Sequence, residues 1–215
     1  MIEKIKKAEI HVHLEATIMP KLCRKFAKNN NIKIPEEVFG SKYCYAWKDF
    51  YDFLKKYDLI TSVIKTPEDY YELTYNYLKQ CSQENVIYVE AMISSAHAKS
   101  KGMTYNSFIE GIIAGAKKAE EEFGIISKYI VNGIRHLGAE SVHETATEVL
   151  KNFNEHIVGF GLAGDELHFP PNLFIKTFDM LKKESFPITV HAGEWDGPEN
   201  IRNAINLLHP TRLGH

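Results

Sequence analysis

Lys7-Ala8-Glu9-Ile10-His11-Val12-His13-Leu14-Glu15 and Ile188-Thr189-Val190-His191-Ala192-Gly193-Glu194 are short, largely apolar runs that lead into histidine. Residues two apart on a strand point to the same side, so His11 and His13 can hold one metal ion jointly. His191 would add a third imidazole, and Glu194 follows closely enough to move protons. Three protein ligands with an open position suit a catalytic zinc, whereas structural zinc sites are closed by four. Taken singly, each motif is also an ordinary polar strand exit. Their conjunction carries the reading.

Between these motifs, β-like runs alternate with helical stretches, the pattern of parallel α/β folds. Strands are expected over Glu9–Leu14, Val86–Ile93, Tyr129–Ile134, Ile157–Leu162 and Ile188–His191, with a sixth starting in Arg212–His215. Helices are expected over Pro20–Asn29, Trp47–Ile64, Pro67–Gln83, Thr104–Phe123, Glu140–Phe153, Asn172–Lys183 and Pro198–Leu207. Thr66-Pro67-Glu68-Asp69 has the chemistry of a helix start: a hydroxyl cap, proline in the first turn, then acids. Gly124 is a helix stop. The polar motifs choose between an open doubly wound sheet and a barrel. An open sheet would spread strands one to six over roughly 25 Å, at about 4.8 Å per strand. A barrel gathers every strand's C-terminal end at one rim, where barrel enzymes keep their active sites. The expectation is a TIM-type (β/α)8 barrel with about the first six βα units present. It forms one incomplete domain over 1–215, with a helical insertion at about 41–85. The aromatic run from Phe50 to Tyr57 reads as a helix packed by its apolar face, with a lid over the pocket as the alternative.

Composition excludes several classes. The chain has 215 residues, 44% of them hydrophobic and 25% charged, as expected of a globular protein. A net charge of −2 gives no electrostatic case for nucleic acid or an anionic membrane surface. Cys23, Cys44 and Cys81 are odd in number and widely spaced, which points to a reducing compartment and a cytoplasmic location. No leader-like apolar segment and no run of about 18 apolar residues occurs.

Gly161-Leu162-Ala163-Gly164-Asp165-Glu166 follows the fourth strand. It reads either as a plain strand-to-helix turn or as a loop whose Gly164 backbone meets a flat ligand while the acids position it. Its spacing is not that of a phosphate cradle. His97, His143, His156, His168 and His209 are expected to face solvent, and His136, after Arg135, is left open.

With these residues assembled, the chain resembles the adenosine deaminase family of metal-dependent amidohydrolases. The matching stretches are KAEIHVHLEATI (7–18), FLKKYD (53–58), TPEDYYEL (66–73), VIYVEAMIS (86–94), VGFGLAGDE (158–166), ITVHAGEWDGPENI (188–201) and RLGH (212–215). The resemblance implies a (β/α)8 barrel that hydrolytically removes ammonia from the purine 6-position, with one zinc per chain held by His11, His13 and His191. It implies that Glu194 protonates the purine ring nitrogen and that His215 orients or deprotonates the water bound to the metal. Gly164 would touch the purine edge through its backbone. Substrate contacts from His13 and Glu15 are implied too, Glu15 facing the ribose. Ala16 stands where relatives usually carry glycine, and Ser95 where many have proline.

The implied activity is conversion of adenosine or deoxyadenosine to inosine in purine salvage, with a small purine nucleoside as partner. The alternatives are a deaminase of adenine or another aminopurine and, from another class, an impaired fragment that binds metal or a partner chain. The family pattern continues past this ending with two more βα units that deliver an aspartate pair. On that ground the 215-residue chain is expected to be a poor catalyst, with open strand edges through which it could self-associate.

Overall fold

The computed structural model describes residues 4–215. Six strands, β1 (Lys7–His13), β2 (Val86–Ile93), β3 (Ile126–Ile134), β4 (Ile157–Ala163), β5 (Ile188–His191) and β6 (Arg212–Gly214), alternate with helices. The helices are α1 (Pro20–Asn29), α2 (Phe50–Thr61), α3 (Pro67–Gln83), α4 (Ser95–Ser100), α5 (Tyr105–Phe123), α6 (Ala139–Lys151), α7 (Ile175–Lys183) and α8 (Pro198–Leu208). The strands form one sheet in the order β1-β2-β3-β4-β5-β6. The β3–β4, β4–β5 and β5–β6 pairs are parallel. A doubly wound sheet reverses its strand order at a switch point. Here the order never reverses, which is the progression of a βα barrel.

By internal contacts the chain divides into two units, one of Met1–Val89 with His97–Ser127, the other of Glu90–Ala96 with Lys128–His215. In the first unit, α1 buries Cys23, Phe26 and Ala27 at helical spacing and leaves its lysines outside. The start of α3 is a full capping box: the Thr66 hydroxyl accepts from Asp69 N, and the Asp69 carboxylate accepts from Thr66 N. Asp69 also accepts from Lys65 N and from the Asn30 amide, which ties the end of α1 to the start of α3. Tyr70 packs edge-on against Phe108, their ring centroids 4.8 Å apart. Helix α5 starts on a Thr104 cap and ends on Gly124 in the left-handed conformation.

In the second unit, β4 is buried along almost its whole length and β5 completely. That suits strands covered on both faces. Phe178 of α7 packs edge-on against Phe160 of β4, their ring centroids 6.1 Å apart. Glu90 of β2 and Arg212 of β6 form an ion pair at 2.7 Å.

The expected elements and the observed ones agree in kind. Helix α4 and the short 3₁₀ turns, Leu14–Thr17 among them, have no counterpart in the sequence reading. Each is too short for a hydrophobic period to register. The second expected helix, Trp47–Ile64, is shorter in fact: Asp49 caps it and Phe50 begins it. Among the described residues, no helix is long and apolar enough to cross a membrane.

Candidate active site

In the first unit, His11 and His13 end β1 on one face, their ring centroids 6.1 Å apart and nearly perpendicular. Glu15 lies in the 3₁₀ turn that follows and is only 1% exposed. Tyr57, Tyr70 and Lys101 lie close enough to feel its charge. Burial pushes both tyrosine hydroxyls well above their ordinary range, and the Glu15 charge adds to the effect. Burial pulls Lys101 down to about 8 against the opposing attraction of Glu15, and its ammonium donates to the Thr61 carbonyl at 2.5 Å.

In the second unit, His191 ends β5 and is 3% exposed. Its ring centroid lies 5.2 Å from that of His215, which directly follows β6. His215 Nε2 is 3.9 Å from the carboxylate of Glu194. The unit thus gathers an imidazole at a strand end, a carboxylate on the next loop and a second imidazole beside it. Together they can bind a cation and exchange protons with a ligand at that end of the sheet. Gly164 has φ of +101°, and a Cβ there would lie 2.8 Å from His136 Nδ1. Both facts demand glycine.

The loop after β5 is held by Glu166, one of the two acids read as positioning a loop, and by Arg135, which had no role in that reading. Glu166 is 1% exposed, and its carboxylate accepts from Gly193 N at 3.0 Å, Asp196 N at 3.0 Å, the Asn200 amide at 2.5 Å and Trp195 N. Burial opposes its ionisation. The backbone donors of Trp195, Asp196 and Gly193, aided by the Arg135 charge, prevail and hold the carboxyl below its ordinary 4.5. Arg135, wholly buried, donates to the Phe169 carbonyl at 2.7 Å and to the His191 carbonyl at 2.8 Å. Burial lowers its guanidinium to about 10, and the charges of Glu166, Asp165 and Glu194 resist that fall. Asp165 caps its own turn, accepting from the backbone of Leu167 and His168 and facing the His168 ring at 2.8 Å. The signal for these roles was present: a charged residue directly after a buried strand, in Arg135 and in the Asp165-Glu166 pair.

The histidines expected in solvent divide. His168 is largely exposed. His143 bonds Thr177 at 3.1 Å, and the side chains of His97 and His156 are mostly buried.

The profile of the family described as Adenosine deaminase matches residues 6–215. An adenine deaminase of Rhizobium leguminosarum bv. trifolii is 37% identical over 211 residues, which is 98% of this chain and 65% of that protein. One of Sinorhizobium fredii is 33% identical over 215 residues, 100% of this chain and 66% of that protein. The crystal structure of adenine deaminase from Arthrobacter aurescens superposes with a TM-score of 0.87 at 26% identity, covering 97% of this chain and 64% of that one. An amidohydrolase from Burkholderia ambifaria, described with bound Zn, has the same fold, with a TM-score of 0.89 at 22% identity over 100% of this chain and 59% of that one. The chain therefore spans about two-thirds of the length of the relatives it matches. The barrel-type fold expected from the sequence is the fold of these relatives. These relatives are named adenine deaminases.

Proposed function

Because the chain belongs to the adenosine deaminase family, we propose that it carries much of the active site of a metal-dependent aminopurine deaminase whose substrate is adenine, released as hypoxanthine and ammonia. The observation that carries this reading is the similarity of nearly the whole of this chain to about two-thirds of the length of adenine deaminases, with histidines at strand ends and Glu194 on the loop after β5.

The residues fit a metal. His11, His13 and His191 are, among the described residues, a histidine group that could hold one ion. Three neutral imidazoles suit zinc better than magnesium or calcium, which prefer oxygen donors. Zinc held there would act as a Lewis acid and make a water nucleophilic near neutral pH. The remaining work falls to this chain. Glu194 delivers a proton to a ring nitrogen and so makes the adjacent carbon more electrophilic. His215, beside Glu194, takes the proton from the attacking water. The Gly164 backbone lies against the flat edge of the purine, and a Cβ there would strike the His136 ring. Glu15 is shut into a buried cluster with Tyr57, Tyr70 and Lys101. A carboxylate so enclosed is a poorer acceptor for an incoming ribose than an exposed one, which agrees with a free base as substrate.

The test is the ultraviolet change on deamination, run with added zinc and with adenine and adenosine in parallel. A higher kcat/KM for adenine is expected, and a higher value for adenosine refutes the assignment. Glu194→Gln should lower turnover by about 100-fold or more, within the range of general acid loss, with bound zinc unchanged. Parental turnover in that variant would remove Glu194 from the proton-transfer role.

A further inference from the structure

The loop after β5 is held from two sides by charged groups that are themselves out of water. Glu166 takes hydrogen bonds from three backbone N–H groups of residues 193–196 and from the side chain of Asn200. Arg135 grips the same segment at its start through the His191 carbonyl. A buried carboxylate and a buried guanidinium are costly unless fully engaged. Three of the four bonds that Glu166 accepts, and one of the two that Arg135 donates, go to one six-residue stretch, His191 to Asp196. That stretch contains the histidine at the end of β5 and the carboxylate of Glu194, yet Glu194 itself has no bond to either splint residue.

We propose that Glu166 and Arg135 are positioning residues that set the backbone of the β5 loop and so aim Glu194. The catalytic consequence rests on the reading of Glu194 as proton donor; the effect on the loop does not. The geometry says how each change would act. Glu166 Oε1 serves Trp195 N and Asp196 N, while Oε2 serves Gly193 N and Asn200. In Glu166→Gln one of these oxygens becomes an NH2 group, a donor facing two donors, so half of the set is lost while size and burial are kept. Asn200→Leu removes a single bond and leaves the three backbone bonds in place, so it is the milder perturbation if Glu166→Gln does not fold.

The experiment measures amide hydrogen exchange along the zinc-supplemented full chain, together with kcat and KM for adenine and zinc content. In Glu166→Gln the amides of Gly193, Trp195 and Asp196 should exchange at least tenfold faster, while those of Phe160 and Leu162 in β4 keep the parental rate. Fluorescence of Trp195, in a Trp47→Phe background, should change in step. kcat should fall at least tenfold with KM within about threefold of the parent and zinc content unchanged. Asn200→Leu should show the same pattern at smaller amplitude. Exchange that stays parental in the loop, or that rises equally through β4, overturns the proposal, the latter by showing general loosening. If the parent turns over no adenine, the reading of function fails while the exchange and fluorescence results still decide the splint.

Discussion

Replacing Gly115 by alanine should destabilise the chain even though alanine is the better helix former. Gly111 and Gly115 lie one turn apart on α5, on the face that meets α3. A Cβ at Gly115 would sit 2.5 Å from the Tyr71 carbonyl oxygen and 2.9 Å from Thr74 Cβ; one at Gly111 would sit 2.3 Å from the Pro67 carbonyl oxygen. These approaches are about 0.9 and 1.1 Å inside the 3.4 Å at which ordinary contact begins. The obstacle is helix backbone, which cannot rotate away, so α5 must retreat from α3 and open the packing beside it. Overpacking of this kind costs about 1–3 kcal/mol, and the helix-propensity gain returns about 1 kcal/mol. A net loss of up to about 2 kcal/mol should lower the thermal midpoint by up to about 8 °C for a chain of this length. One retreat relieves both clashes, so the double change Gly111→Ala, Gly115→Ala should cost less than the two single losses added. Gly197→Ala is the control, because nothing lies within 4 Å of its Cβ position. The assay is thermal and urea unfolding followed by circular dichroism. A midpoint for Gly115→Ala at or above the parent would refute the close-approach argument, and strict additivity would refute the shared-retreat argument.

Thr66→Ala removes one half of the capping box of α3 and should cost about 1 kcal/mol, read as a shift in the urea midpoint; no shift would mean that Asp69 alone secures the helix start. Added zinc should raise the thermal midpoint of the parent, by the equivalent of about 2.7 kcal/mol at one hundred times its dissociation constant. Chelation should reverse the gain and His11→Ala should abolish it, so a full gain in that variant would remove His11 from the ligand set. The carboxyls of Glu166 and Asp165 are held below their ordinary 4.5 and 3.8 in the folded chain. Their stabilisation is therefore complete above about pH 4.5 and is lost as the pH falls through the depressed values beneath it. Acid unfolding should be steeper in the parent than in Glu166→Gln over that window, and parallel pH profiles would contradict the assignment.

Much of the frame was legible because it is written in short-range chemistry. Helix α3 runs over Pro67–Gln83 as expected, since Thr66, Pro67 and Asp69 specify its start within four residues. Strand β2 also runs as expected, its C-terminal half buried and Ile87 exposed near its start. Helix α4 escaped notice because six residues hold less than two turns. The placement of His97 and His156 in solvent failed for a different reason. A histidine's burial depends on what packs over it, and for His97 that includes Tyr57, far away in sequence. Substrate identity was out of reach in the same way: HxHLE and HAGE state the chemistry of deamination and say little about what surrounds the base.

The sequence by itself determined which groups are available and the local order in which they are presented. Two imidazoles on one face of β1, a third at the end of β5 and Glu194 three residues on follow from spacing and period. Only the tertiary structure decided what holds them. Arg135 reaches the His191 carbonyl across 56 residues, and Glu166 reaches Asn200 across 34. Contacts of that separation depend on the parallel register of β3, β4 and β5. They also depend on the burial that makes an unpaired charge costly. Local patterning encodes neither, because the free energy that selects such partners exists only once water has been excluded from around them.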